Sequence, residues 1–252
     1  KAAKGLVRDL GELENLQVSR KGPADYVSKA DRRAEEILHA ELRKARPAYG
    51  FLMEEAGAVD GTDTSNRWII DPLDGTTNFL HGIPHFAISI GLERDSELFA
   101  GVIYSPVHDE LYVAEKGGGA FLNGRRLRVS GRPKLDDALI ATGIPFRGTP
   151  SHDLFLRQIG LVMGTCAGIR RYGSAALDLA YVAAGRYDGY WENGLFPWDI
   201  AAGIVLVREA GGFVSDLAGG RRMLAGGGIL AANPVLHAPL AALLAQAAPA
   251  GS

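Results

Sequence analysis

Two carboxylates stand three residues apart at the end of an apolar run, in the stretch Trp68-Ile69-Ile70-Asp71-Pro72-Leu73-Asp74-Gly75-Thr76-Thr77-Asn78-Phe79. Anionic groups held this close repel, and one is forced neutral unless a cation joins them. Oxygen-only donors on a rigid turn suit Mg²⁺, which takes one or two carboxylates and completes its shell with water and substrate phosphate. Asp-Gly after an apolar run is also a hairpin signal, and Asp71 alone could cap a turn or helix. Two more carboxylates stand in comparable places. Glu54, followed by Glu55, ends the apolar Phe51-Leu52-Met53, and Asp199 lies in Trp198-Asp199-Ile200-Ala201-Ala202-Gly203. Asp199 sits where a helix should start, a place where Asp ordinarily caps backbone N–H groups. Four carboxylates converging where elements end (Glu54, Asp71, Asp74 and Asp199) would need about two divalent cations for charge balance, the apparatus for displacement at phosphorus. Gly75-Thr76 and Gly173-Ser174-Ala175 offer the backbone N–H groups that a phosphate requires.

The elements that must position these groups follow from periodicity. Residues 68–70 read as a short buried strand that Pro72 should stop, leaving Asp71 at its end and Gly75 free to turn left-handed. Upstream, Leu6, Val7, Leu10, Leu13 and Leu16 give residues 1–20 a helical spacing, with Gly11 as a weak point. Residues 21–25 read as a loop. Ser28 and Asp31 resemble a capping box opening a helix that ends before Pro47. A strand over 51–53 and a polar loop over 56–67 lead into the metal-suited turn. Strands are then expected over 87–92, 98–104, 110–114 and 119–122, with Asn123-Gly124 as a hairpin turn. Downstream, strands (139–141, 169–172, 187–191, 213–215, 229–232) alternate with helices (154–163, 174–183, 198–210, 234–245). Glu192 follows the strand over 187–191. The chain divides into an N-terminal α+β half, residues 1–134, with an antiparallel sheet, and a mixed α/β half, residues 135–252, packed as one unit.

Bulk composition narrows the partners. With 27 basic and 29 acidic residues there is no basic excess to draw nucleic acid by counterion release, so no direct nucleic-acid binding is expected. Cys166 is the single cysteine, which excludes an internal disulfide and a thiolate cluster and fits the cytoplasm. No apolar run of about 18 residues offers a membrane span. The chain opens on Lys1 with no Met, so its natural N-terminus is expected upstream.

On these motifs the chain resembles the inositol monophosphatase family of Mg²⁺-dependent, lithium-sensitive sugar phosphatases. The Asp-Pro-Leu-Asp-Gly-Thr core matches the first family signature, and Trp198–Gly203 the second. Glu54-Glu55, Gly173-Ser174-Ala175 and Glu192 follow in the family's order. The resemblance implies a layered αβαβα sandwich, a homodimer, and two to three Mg²⁺ ions. Glu54, Asp71 and the Leu73 carbonyl would hold the first ion. Asp71, Asp74 and Asp199 would hold the second, and Glu54 would support a looser third. Thr76, hydrogen-bonded to Asp31, would position and deprotonate the attacking water. The N–H groups of Gly75 and Thr76 would bind phosphate. Asp74, Gly173, Ser174, Ala175, Glu192 and Asp199 would line the substrate site. Lys21 would temper the charge nearby.

The implied reaction is hydrolysis of myo-inositol monophosphate. Histidinol phosphate, a nucleotide 2′- or 3′-phosphate and fructose 1,6-bisphosphate are the alternative substrates. From another class comes an RNA polymerase-binding, antitermination role. Ser174 stands where many members have Thr, and Phe196-Pro197 replaces more polar residues, so the rim could select a different alcohol. His81 and His85 read as structural, because carboxylates already supply the hard ligands.

Overall fold

The sheet that carries Asp71 is built first. In this computed structural model the structure describes residues 1–12, 18–20, 26–145 and 151–247, with backbone alone at 18–20 and 26–28. The first half runs α1 (Ala2–Leu10), β1 (Val18–Arg20), β2 (Tyr26–Ser28), α2 (Lys29–Ala45), β3 (Tyr49–Met53), β4 (Gly57–Val59), β5 (Asp63–Asp74), α3 (Thr76–Leu80), β6 (Ala87–Arg94), β7 (Glu97–Ser105), β8 (Glu110–Glu115), β9 (Gly119–Leu122) and β10 (Arg125–Arg126). The second half runs β11 (Leu139–Thr142), α4 (His152–Met163), β12 (Gly168–Arg170), α5 (Ala175–Ala183), β13 (Gly189–Asn193), α6 (Pro197–Glu209), β14 (Phe213–Ser215), α7 (Met223–Gly226), β15 (Gly228–Ala232) and α8 (His237–Ala245).

An eight-stranded sheet has the order β10-β9-β8-β7-β6-β5-β3-β4, and a five-stranded sheet the order β12-β11-β13-β15-β14. Helices α1 and α2 cover the outer side of the first sheet, α5 and α6 fill the space between the sheets, and α4 and α8 cover the second sheet. The fold is therefore the layered αβαβα sandwich. The middle layer is dry and built from small and branched residues: Ala176, Leu177, Ala180, Ile200, Ala202 and Val205 are all buried. The second sheet is mixed: β11 runs parallel to β12 and β13, whereas β15 is antiparallel to both its neighbours.

Several local expectations are corrected. The helix expected over 1–20 ends at Leu10, where the Gly11 N–H turns back to the Arg8 carbonyl at 3.0 Å. Residues 18–20 instead pair antiparallel with 26–28, while Leu13, Leu16 and Lys21 lie outside the described residues. The loop expected over 56–67 contains β4 and the start of β5. This end of β5 reaches past the core, so its ladder is carried by polar residues, among them Arg67 in a 2.7 Å ion pair with Glu93. An apolar-period reading has no signal for such a strand. The strand also continues beyond Pro72. Pairing with β6 is regular to Asp71, opposite Ser89, breaks at Pro72-Leu73, and resumes at Asp74, opposite Ala87. Proline is tolerated there because a bulge needs no ladder N–H.

Helix α6 lies close on β6 and β7. A Cβ on Gly101 would come within 2.5 Å of the Ala202 carbonyl oxygen, so only glycine lets the helix backbone rest on the strand. Gly101→Ala should lower folding stability by about 1–3 kcal/mol through overpacking. Urea denaturation checks this; an unchanged midpoint would show that α6 does not bear on the strand there.

Candidate active site

The acidic groups meet because β3 runs parallel to β5. The register sets Met53 opposite Ile70, so Glu54 and Asp71 leave their strands at the same sheet edge. The Glu54 N–H also donates to the Ile70 carbonyl at 3.2 Å. An antiparallel pair would have put the two carboxylates at opposite edges. Asp199 arrives from the other side. Ser89, opposite Asp71 on β6, is buried and donates its hydroxyl to the Trp198 carbonyl at 3.2 Å. That bond places the start of α6 beside β5. Pro197 occupies the first turn of α6, where a missing N–H costs nothing. Asp199 accepts the Phe196 N–H at 2.7 Å, closing the helix end.

Asp74 joins the two halves of the chain. Its Oδ2 accepts the Ser174 hydroxyl at 2.5 Å and the Ala176 N–H at 2.7 Å, both at the start of α5. Ser174 is itself the N-cap of α5, accepting the Leu177 N–H at 3.3 Å. Gly75 then turns with φ 95°, and a side chain there would meet the His85 carbonyl at 3.0 Å. Only glycine satisfies both demands.

Asp71 is the electrostatic centre. Burial pushes its carboxyl well above the usual range, and Glu54, Asp74, Asp199 and Asp31 each push it further. Burial raises Asp74 to about 6, against the hydrogen bonds from Ser174, Ala176, Ala175 and Gly75 that favour its anion. Asp199 is raised well above its ordinary range by burial and by Asp74, with its cap bond to Phe196 pulling the other way. Glu192 is raised by burial to about 7, although Tyr190 donates to its Oε2 at 2.6 Å and Arg171 lies near enough to favour the charged form. Asp74, Glu192 and Asp199 are half-buried and keep some surface open to solvent. A partly solvent-open cluster of carboxylates that repel one another fits a hard divalent cation.

The structure places Asp31 differently from the expectation. Its carboxylate lies within 4.8 Å of ligand atoms of Glu54 and Glu55, a trio able to hold a metal ion. The Thr76 hydroxyl, with one hydrogen to give, donates to the Leu73 carbonyl in the same turn at 2.9 Å, so the expected bond from Thr76 to Asp31 is replaced. Leu73 is fully buried and donates its N–H to Asp71 at 2.8 Å. Glu55, which the sequence reading left without a role, also meets Arg32 at 3.6 Å. Sequence reasoning missed Glu35 as well: its two oxygens accept the Glu55 and Ala56 N–H groups, each at 2.9 Å, and so fix the turn that bears Glu54. Nothing in a solvent-patterned helix sequence marks such a residue. His85 is packed between Tyr172 and Tyr181, with burial lowering its ring to about 4, so it is neutral.

The profile of the inositol monophosphatase family matches residues 1–249. The inositol-1-monophosphatase of Mesorhizobium japonicum is 63% identical over 240 residues, covering 95% of this chain and 90% of the relative. The Nus factor SuhB of Pseudomonas aeruginosa is 49% identical over 232 residues, covering 90% and 86%. The crystal structure of extragenic suppressor protein suhB from Bartonella henselae superposes with a TM-score of 0.94 at 58% identity, covering 96% of this chain and 93% of that one.

The raised carboxyls set a pH dependence for the metal-free protein. Asp74 (3.8 to about 6) and Glu192 (4.5 to about 7) hold protons more tightly when folded than when unfolded. Their contribution is thus complete below the unfolded values and is lost as pH rises through the folded ones. In EDTA the melting temperature should fall between about pH 4 and pH 7. Saturating Mg²⁺ should flatten that slope by offsetting the same charges. A melting temperature that rises with pH in EDTA would contradict the assigned electrostatics.

Proposed function

The chain belongs to the inositol monophosphatase family, and from that membership we propose that it hydrolyses myo-inositol monophosphate to inositol and phosphate, with Mg²⁺ as cofactor. The observation that carries this is the convergence of Glu54, Asp74, Asp199 and Asp31 on the buried Asp71. Glu54, Asp71 and the Leu73 carbonyl would hold one ion, and Asp71, Asp74 and Asp199 a second. Glu54, with Asp31 and Glu55 close by, would support a looser third. Bound there, the ions would offset the carboxylate charge, acidify water and stabilise the leaving oxygen.

The chain's own groups do the rest. The N–H groups of Gly75 and Thr76 would serve the phosphate as donors, that of Gly75 turning from the Asp74 carboxylate it supports without substrate. The Thr76 hydroxyl has committed its hydrogen to Leu73, which leaves its oxygen as an acceptor that aligns the attacking water. Glu54, flanked by Asp31, provides the basic environment that takes up the water's proton. Asp74, the Gly173-Ser174-Ala175 turn, Glu192 and Asp199 meet the hydroxyls of the alcohol. Phe196, exposed and stacked on Trp198 with ring centroids 5.0 Å apart, forms an aromatic rim that would bias the choice of alcohol. A homodimer, lithium sensitivity and a cytoplasmic location belong to the same proposal. Among the described residues no helix is long and apolar enough to cross a membrane.

A second reading has one observation in its favour, the similarity to the Nus factor SuhB of Pseudomonas aeruginosa. A pull-down with purified RNA polymerase tests it: retention of this chain supports a transcription role beside the phosphatase, and no retention removes it.

Phosphate release measured over a panel of phosphomonoesters, including histidinol phosphate, nucleotide 2′- and 3′-phosphates and fructose 1,6-bisphosphate, should rank inositol monophosphate highest. Activity should vanish in EDTA, return with Mg²⁺, and be inhibited by Ca²⁺, whose looser shell does not enforce octahedral positioning. Full activity in metal-free buffer would overturn the mechanism. In the same assay Asp74→Asn should abolish turnover, whereas Glu192→Gln should mainly reorder the panel. Equal loss on every ester with Glu192→Gln would remove Glu192 from alcohol recognition.

A further inference from the structure

We propose that Asn78 is a positioning residue that sets the spacing between the metal-suited turn and the loop that meets the alcohol. This rests on the reaction proposed above. Asn78 lies in α3, four residues beyond Asp74, and is buried. Its amide nitrogen donates to the Tyr172 carbonyl at 2.6 Å and to the His85 carbonyl at 2.8 Å, with the Gly173 carbonyl a weaker third partner at 3.4 Å. All three partners are acceptors, so only the –NH₂ end of the side chain can face them, and its two hydrogens are both used. The two close partners are themselves in contact, since the His85 ring packs edge-on against Tyr172 with centroids 5.2 Å apart.

This one side chain therefore fastens three segments: α3, the return into β6, and the entry to Gly173-Ser174-Ala175. A second hydrogen-bonded link across the same seam runs from Asp74 to Ser174 and Ala176. That link passes through a carboxylate assigned both to cation and to substrate, so its charge environment changes during turnover. The amide link is neutral and engaged with neither, and it holds the loop throughout the cycle. If it were cut, the loop would drift relative to Asp74, while Gly75 and Thr76 would keep their own turn. Recognition of the alcohol would suffer and the phosphate chemistry would not.

Asn78→Asp keeps the side-chain shape but replaces both donors by acceptors that repel the carbonyls. It should raise KM for a polyol phosphate by about tenfold, the scale of a lost buried hydrogen-bond set, with kcat within about twofold. Hydrolysis of p-nitrophenyl phosphate, which has no alcohol hydroxyls to recognise, and the Mg²⁺ activation curve should stay within about twofold. Equal loss on both substrates, or wild-type values on both, would overturn the proposal. Should Asn78→Asp fail to fold by circular dichroism, Asn78→Ser, which keeps one donor, is read on the ratio of kcat/KM for the polyol phosphate to that for p-nitrophenyl phosphate: a smaller fall supports the link, and an unchanged ratio refutes it. Wild-type turnover of inositol monophosphate separately decides the reaction. If that ester is not cleaved, the ratio is taken with whichever polyol phosphate the wild type cleaves fastest.

Discussion

Repulsion at Asp71 is the constraint from which the rest of the molecule follows. A carboxyl that is 2% exposed, with four other acids pressing on it, is a standing cost to folding. The fold offsets that cost in two ways. It aims backbone donors at the cluster: the start of α5 serves Asp74, and the start of α6 is capped by Asp199. Helix starts carry partial positive charge, so both ends favour anions. It also leaves Asp74, Glu192 and Asp199 partly exposed, where a cation can reach them. The layers around the site serve the same end. Small residues on α6 and glycine at 101 let the helix lie low enough on the sheet for its first turn to reach β5.

The site has two sides with different chemistry. On one, in the proposed reaction, oxygen ligands and N–H donors would address metal and phosphate, which every phosphomonoester shares. On the other, in the proposed reaction, Glu192 with Tyr190, Arg171 at a distance, and the Phe196–Trp198 stack would address whatever alcohol carries the phosphate. The first side is fixed by the fold, and the second sits on strand ends and a helix entry that can vary without disturbing it. Relatives bearing the names inositol-1-monophosphatase and Nus factor SuhB share this scaffold at 63% and 49% identity. The scaffold alone therefore does not dictate a biological role.

How much was legible in the sequence depended on whether the signal was local. Apolar runs ending in carboxylates mark Glu54 and Asp71, and an Asp at an expected helix start marks Asp199. β9 and β14 were read with their observed limits, because apolar strands flanked by Gly and Asn carry their own punctuation. What failed was non-local. Nothing in residues 49–74 reveals that β3 pairs parallel with β5, although that pairing brings two carboxylates together. The resemblance pairs Asp31 with Thr76, but the Leu73 carbonyl, three residues back in the same turn, takes the only hydroxyl hydrogen. Asn78 and Glu35 act on backbone groups up to 95 residues away, and side chain-to-backbone bonds of that range leave no periodic trace.

The bulge at Pro72-Leu73 shows how tightly the central stretch is specified. Residues three apart on a regular strand point to opposite faces, so Asp71 and Asp74 could not serve one site from an unbroken ladder. An extra residue must be inserted between them, and a bulge does that. Proline supplies the position without an N–H to leave unpaired. Leucine follows, its side chain anchored in the core and its N–H given to the Asp71 carboxylate at 2.8 Å. Asp71 thus orders the bulge that turns Asp74 toward it. With its N–H spent on Asp71, Leu73 turns its carbonyl to the Thr76 hydroxyl instead of across to β6. Gly75 then reverses the chain where a Cβ would strike His85. From Asp71 to Thr76 the turn is thus closed on itself: Asp71 holds the Leu73 N–H, Leu73 holds the Thr76 hydroxyl, and the bulge between them brings the two carboxylates to one face.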